Sequence, residues 1–355
     1  MSYKILAINP GSTSTKISLY EDEREFFTKK LEHPLELIDK FDNVEDQLHM
    51  RKELVVEFLK EKNVDIKDLS AVVARGGMLP PVKTGAYAIN DLMVDRVTKR
   101  PVMEHASNLA APIAYDIARE AGIQSYIYDC VMADELTDMA RISGMPELPR
   151  TSASHVLNTR AMAIKAAKEC GRRYEDMNII VAHLGGGISI NIHEKGRITD
   201  LVSDDEGPFS PERAGRVPCR ELINLCYSGK YDKKTMQRKL RGNGGLRAYL
   251  NTIDAREVEE MISEGSQEAK LVYEAMAYQI AKGIGELATV ADGNIDVIVL
   301  TGGIAYSAML TGWISKRVSF IAPVEILAGE NEMEALAFGA LRVLKGEETA
   351  REYTE

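Results

Sequence analysis

Three short apolar runs in this chain end in glycine-containing turns, and turns of that kind are where proteins hold phosphate. Ile5-Leu6-Ala7-Ile8 leads into Asn9-Pro10-Gly11-Ser12-Thr13-Ser14, and Asn178-Ile179-Ile180-Val181-Ala182 leads into His183-Leu184-Gly185-Gly186-Gly187. The third run, Ile295-Asp296-Val297-Ile298-Val299-Leu300, meets Thr301-Gly302-Gly303. Glycine lets consecutive backbone N–H groups face an anion with no side chain in the way. The hydroxyls of Ser12, Thr13, Ser14 and Thr15 and the ammonium of Lys16 add donors for phosphate oxygens. The Asn9 amide offers both a donor and an acceptor, which suits a phosphate or a metal-bound water. An ordinary hairpin uses the same residues as any one of these turns; three in one chain point to a nucleotide site. Competing signatures are missing. There is no Gly-x-x-x-x-Gly-Lys-Ser/Thr, and Gly283-x-Gly285-x-x-Ala288 falls inside a predicted helix with no strand before it.

The elements that must position these turns repeat. Sliding Ile5 onto Ile179, an offset of 174 residues, superposes Asn9 on His183 and Gly11 on Gly185. Two strand–turn–strand units half a chain apart predict two similar halves built on the same sheet motif. Strand candidates at 17–20, 70–74, 124–128 and 188–192 alternate with helical spacing over 44–62, 103–121, 219–228, 255–263, 267–290 and 331–345, the pattern of an α/β protein. In the last helix Glu332, Glu334, Arg342 and Lys345 are expected on the solvated face, with Leu336, Ala337 and Leu341 packed.

At 355 residues, 45% hydrophobic and 28% charged, the chain has apolar mass for two cores. A net charge of −10 argues against nucleic acid or an anionic membrane as partner, though not against nucleotides. Cys130, Cys170, Cys219 and Cys226 form neither a Cys-x-x-Cys pair nor a zinc pattern and are expected to be buried free thiols of a reducing cytosol. The opening residues meet a Pro-Gly turn too early for a signal peptide, and no apolar run approaches the roughly 18 to 20 residues of a spanning helix. The chain therefore reads as cytoplasmic.

Ile8–Lys16, Ala182–Gly187 and Leu300–Gly303 resemble the first phosphate, second phosphate and adenosine motifs of the acetokinase family, within the acetate and sugar kinase/Hsp70/actin superfamily. The resemblance runs over essentially the whole chain. Asn9–Lys16, Ala74-Arg75-Gly76-Gly77 and Asn331-Glu332-Met333-Glu334-Ala335-Leu336-Ala337 are similar to the butyrate kinases of that family rather than to its acetate kinases. This implies two actin-like (ribonuclease H-like) α/β domains of βββαβαβα type with a nucleotide cleft between them. Residues 1–149 plus about 330–355 would form the acid and phosphoryl-site domain with a returning C-terminal helix, and 150–329 the nucleotide-binding domain. The implied reaction is reversible phosphoryl transfer between ATP and butyrate or another short or branched fatty acid, giving acyl phosphate and ADP, with Mg²⁺, in a homodimer or higher homo-oligomer. An acetate or propionate kinase of the same family and a non-catalytic actin-like nucleotide-binding regulator are the alternatives.

A carboxylate is ionised at pH 7, so such a reaction needs no general base to make its nucleophile. Two anions must meet, which calls for cations, neutral donors and Mg²⁺. Arg75, His105, Arg150, His155, His183 and Arg216 are the cationic candidates. Arg75 ends a strand before Gly76-Gly77, at the carboxyl edge of a sheet where α/β sites lie, or else caps a turn. The family's active-site arginine stands a few residues earlier relative to the Gly-Gly. His105 opens a helix, whose dipole favours anions and neutral imidazole, and matches an active-site histidine. By the same resemblance Asp129 matches an aspartate near metal and phosphates, Arg216 a second phosphate-binding arginine, and Glu332 a glutamate that joins Asn9 in holding Mg²⁺ through water. Nucleotide contacts are expected from Asn9, Ser12, Ser14, Lys16, His183, Gly185, Gly186, Gly187, Gly302 and Gly303. His183 either touches the nucleotide or supports its loop, and His155 is expected to pack in a helix. Thr151 stands where acetate kinases carry a transition-state histidine, which suggests more room for a longer acid.

Overall fold

The structure, a computed structural model, describes residues 2–354 and divides into two units, Met1–Asp134 with Asn331–Glu355, and Glu135–Glu330. The first unit holds β1 (Lys4–Pro10), β2 (Ser14–Glu21), β3 (Arg24–Glu32), β4 (Ala71–Arg75), β5 (Ala86–Ala88) and β6 (Gln124–Tyr128). The second holds β7 (Asn178–Leu184), β8 (Ile188–Glu194), β9 (Arg197–Val202), β10 (Val297–Gly302) and β11 (Val324–Ala328); β12 (Arg351–Glu352) returns to the first. The sheet orders are β12-β5-β6-β4-β1-β2-β3 and β11-β10-β7-β8-β9. In each, an antiparallel run of three strands continues into parallel neighbours, β4 and β6 in one and β10 and β11 in the other. The offset of 174 carries Lys4 and Pro10, the ends of β1, onto Asn178 and Leu184, the ends of β7. The predicted duplication is real in three dimensions.

Residues at the centre of these strands are apolar on both sides because helices cover both faces. Ile180, Ala182, Ile298 and Leu300 face the helices Gln267–Ala288 and Ala308–Val318, while Ile179, Val181, Val297 and Val299 face Val156–Glu169. In the first unit, Leu6, Ile8, Val72 and Ala74 pack under Leu48–Glu61 and Ala110–Ala121, and the returning helix Glu332–Leu344 also packs on β1 and β4. Gln267–Ala288 begins where the Ser266 hydroxyl accepts the Ala269 N–H at 3.2 Å, and it buries Val272, Met276, Ile280, Ile284 and Leu287 at helical spacing. Gly283, of the Gly-x-Gly-x-x-Ala string, gives room to Ile190 within that packing and follows no strand.

Three expectations need correction. The first unit ends at Asp134, short of the expected 149, because the segment after it is bound to β9. Thr137 donates to the Thr199 carbonyl at 3.0 Å, Leu136 and Ala140 pack on Leu201, and Arg150 bonds Asp200 at 2.9 Å and Glu206 at 3.2 Å. Of the four free cysteines only Cys130 is buried. On the last helix, Glu332 is not simply solvated, since it pairs with Arg75, and Arg342 donates to the Tyr128 hydroxyl at 2.6 Å. No helix among the described residues is long and apolar enough to cross a membrane.

Acid should weaken this fold through its buried histidines. His193, on β8, is buried against Tyr174, whose hydroxyl lies 2.8 Å from Nδ1; burial first and the Arg160 charge second pull it down from 6.5 to about 3. Burial and the Arg51 charge likewise lower His33 from 6.5 to about 4. Below pH 6.5 the unfolded chain takes protons that the folded chain refuses, so stability falls as pH falls toward those values. Each histidine contributes up to about 1.4 kcal/mol per pH unit. Urea midpoints at pH 7.5, 6.0 and 5.0 should fall more steeply for the wild type than for His193→Gln; equal slopes would refute this.

Candidate active site

The turn after β1 is held from beneath by an arginine. Arg51, 1% exposed, reaches up from Leu48–Glu61 and donates to the Gly11 carbonyl at 2.7 Å, to Ser12 at 2.9 Å and to Ser14 at 3.2 Å. Gln47 orients the guanidinium at 2.8 Å, and the His33 N–H takes the Thr13 carbonyl at 2.8 Å. A planar trans peptide points each N–H opposite the preceding carbonyl. With the carbonyls of Gly11, Ser12 and Thr13 turned onto Arg51 and His33, the amides of Ser12, Thr13 and Ser14 point the other way, as an anion nest requires. Burial lowers Arg51 to about 10, which leaves it charged at neutral pH.

A cavity of about 360 Å³ opens beside this turn, with Lys16, Lys30, Arg75 and His105 in its wall. Arg75, the last residue of β4, pairs through Nη1 with Glu332 Oε1, and Asn9 Nδ2 donates to the other oxygen, Oε2, at 2.8 Å. Glu332 is delivered by the first turn of the returning helix, so a residue 323 positions from Asn9 and 257 from Arg75 completes the β1–β4 edge. His105 precedes the short helical turn Ala106–Leu109, and its Nδ1 accepts the Ser107 N–H at 3.1 Å. A neutral ring in this arrangement carries its proton on Nε2. Burial first and the Arg75 charge second lower its pKa, which favours that neutral donor.

Asp129 does not join this wall. It is 1% exposed at the end of β6, with φ +43°, and its Oδ1 accepts the Gly85 N–H at 2.7 Å while Val131, two residues on, lines the cavity.

The second unit repeats the turn with different support. His183 stacks on His155 at 4.0 Å between ring centres and lies 3.3 Å from Glu330, a contact that holds the Glu330 carboxyl below its ordinary value. His155 itself stands just before Val156–Glu169, where its Nδ1 meets the Ser189 hydroxyl at 2.8 Å. His183 is thus 3% exposed and packed behind the Gly185–Gly187 turn. Arg216, expected here, donates instead to the Glu206 carbonyl at 2.7 Å and to Glu286 at 2.9 Å. The arginine that lies against Gly187 is Arg213, paired with Asp204; a side chain at Gly187 would run into its guanidinium. Ser210 ties Arg213 to the same turn, accepting its N–H at 3.2 Å and donating to the Gly186 carbonyl at 2.6 Å. Gly302 ends β10 at φ +91°, hydrogen-bonded with Gly329 in both directions, and its missing side chain admits the Leu184 backbone. Thr151 is exposed, and Arg150 is spent on β9.

A profile of the acetokinase family matches residues 150–327. Butyrate kinase 1 of Clostridium acetobutylicum is 48% identical over 353 residues, 99% of each chain. Probable butyrate kinase 2 of Caldanaerobacter subterraneus subsp. tengcongensis is 48% identical over 352 residues, again 99% of both. The chain belongs to the acetokinase family. Among solved structures, Porphyromonas gingivalis acetate kinase superposes with a TM-score of 0.77 at 18% identity, covering 96% of this chain and 100% of that one. A propionate kinase from Francisella tularensis gives 0.74 at 18% identity, covering 95% and 98%. These likenesses show the two-domain actin-like fold.

As an acetokinase-family member the protein is an ATP-dependent carboxylate kinase, working with a divalent metal. The first unit suits such a metal. Glu332 and Asn9 stand side by side, and Ser14 on the adjoining turn lines the same cavity as Asn9, so a carboxylate, an amide and a hydroxyl offer oxygens there. A hard cation held by one carboxylate, waters and phosphates needs no more, and no group of three His, Cys, Asp or Glu forms a cage among the described residues. Two parts of the site were missed in the sequence. Arg51 had a signal, since Arg51, Val55 and Leu59 fall on one helical stripe. Arg213 has a weaker one, standing three residues before Arg216.

Proposed function

We propose that the protein is a butyrate kinase, transferring the terminal phosphoryl group of ATP reversibly to butyrate or another short or branched acid. The observation that carries this reading is the cavity beside the Gly11 turn. Lys16, Lys30, Arg75 and His105 line it, and the carboxylate beside it, Glu332, is engaged by Arg75 and the Asn9 amide rather than free to act as a base. An alcohol acceptor would need a carboxylate base there; a fatty acid arrives already ionised. What remains is to neutralise two anions in line, the work of fixed donors and cations.

In this reading the Ser12, Thr13 and Ser14 amides and Lys16 take phosphoryl oxygens, and Arg75 and the His105 Nε2–H meet the incoming carboxylate and the charge that develops on the transferring group. Glu332 and Asn9 would hold Mg²⁺, which when bound would supply charge neutralisation for the phosphoryl transfer. The Gly185–Gly187 and Gly302–Gly303 turns hold the nucleotide, His183 supports the first of them, and Arg213 replaces Arg216 as the second cation. Asp129 acts by fixing the Gly85 loop and the approach to Val131. A regulator that only binds nucleotide has no use for Arg75 and His105 in the wall of such a cavity. A homodimer or higher homo-oligomer belongs to the same reading, and sedimentation at micromolar concentration tests it.

Butyrate is favoured over acetate by the two butyrate kinases that this chain resembles over its full length and by Met78, Val131 and Pro10, the apolar members of the wall. Two methylenes buried in a fitted pocket contribute about 1.6 kcal/mol, roughly fifteen-fold. At saturating MgATP, kcat/KM for butyrate or isobutyrate should exceed that for acetate by about tenfold, with propionate between. Acetate equal to butyrate would overturn the chain-length assignment and leave the carboxylate kinase standing.

A further inference from the structure

We infer that Met78 is the residue that measures the acyl chain, an inference that rests on the carboxylate kinase reading of the same cavity. The wall carries the cations Lys16, Lys30 and Arg75, the His105 donor, and three apolar residues, Pro10, Met78 and Val131. The carboxylate goes to the cations and donors, so the tail is left to the apolar residues.

Two of those three residues are fixed. Pro10 is buried at the end of β1, and its ring holds its own backbone. Val131 follows the buried Cys130, whose carbonyl accepts the Ala133 N–H at 2.8 Å, and Asp129, pinned to Gly85 on the other side. A β-branched side chain on so constrained a backbone has little freedom.

Met78 differs. Its backbone is locked: the N–H donates to Asn108 Oδ1 at 2.7 Å and the carbonyl accepts the Val102 N–H at 3.0 Å. Asn108 is itself held, its Nδ2 donating to the Met103 carbonyl at 2.9 Å. The residue before, Gly77, sits so close to Asn108 that a side chain there would approach its Cα to 2.9 Å, and the Cys130 thiol donates to the Gly77 carbonyl at 3.2 Å. The Cα of Met78 therefore has no room to drift, while its unbranched thioether is the most adaptable of the three apolar side chains. Changes of size at position 78 should pass directly into the depth of the apolar side without moving Arg75 or His105.

The test is the chain-length profile, kcat/KM for straight acids from two to six carbons, read both as ADP release and as trapped acyl hydroxamate. Met78→Ala should raise hexanoate relative to butyrate by about tenfold, near the roughly fourfold per methylene expected of burial. Met78→Phe should raise acetate relative to butyrate by a similar factor. Met78→Leu, which conserves volume, should keep the wild-type profile and thermal midpoint and controls for folding. A purely structural role would lower every acid by the same factor, so unchanged ratios in both Met78→Ala and Met78→Phe overturn the inference alone. A wild-type protein that phosphorylates no acid in the series overturns the carboxylate kinase reading and this inference with it.

Discussion

Arg75→Ala should lower turnover by two or more decades, on the order of 3 kcal/mol of lost transition-state stabilisation, while ATP still binds. Arg75 is placed by β4 and held by Glu332, so its guanidinium is oriented before any substrate arrives. A cation fixed in advance stabilises the developing charge without reorganising when the reaction occurs. The nucleotide is assigned to glycine turns that Arg75 does not build, which is why binding should survive. The substitution also leaves Glu332 with only its Asn9 bond, so the apparent affinity for Mg²⁺ should change along with turnover. Arg75→Lys, a point charge with no fork to share between Glu332 and a substrate, should recover only part of the activity. Near wild-type turnover in a folded Arg75→Ala protein would remove the residue from the mechanism.

Arg51→Met should act through stability and phosphate binding together. Methionine keeps the apolar stem but takes the guanidinium from the carbonyls of Gly11 and Ser12, while Ser14 keeps the Gly11 N–H at 2.7 Å. An acceptor left without a partner costs about 1–3 kcal/mol when buried. A loss of about 2 kcal/mol in urea unfolding is expected. ATP affinity should weaken as well, because without the anchor the amides of Ser12–Ser14 no longer hold one direction. A variant as stable as wild type, with ATP affinity unchanged, would contradict the role of Arg51 as the underside of the nest.

The contrast between these two arginines shows what the sequence could reveal. Arg75 was legible because it ends an apolar run and precedes glycines, a local pattern. Arg51 lies in a helix whose polar residues all look solvent-facing until the strand turn it supports is folded beside it. The duplicated sheet was legible for the same local reason: continuous apolar runs and glycine turns recur at one offset. β3, Arg24–Glu32, escaped notice because its charges follow no apolar alternation, and it forms the sheet edge, where charge discourages pairing with another chain. The choice between Arg213 and Arg216, the burial of Asp129 and the end of the first unit at Asp134 depend on long-range partners, Gly187, Gly85 and β9 respectively. No local pattern records such partners.

The central claim is that a carboxylate, and a short fatty one, receives the phosphoryl group. The most direct measurement incubates the protein with butyrate, MgATP and hydroxylamine and counts ADP against butyryl hydroxamate. The account predicts one hydroxamate for each ADP, with ADP formation dependent on the acid. ADP released without hydroxamate, or nucleotide bound with no turnover when butyrate is added, would contradict it.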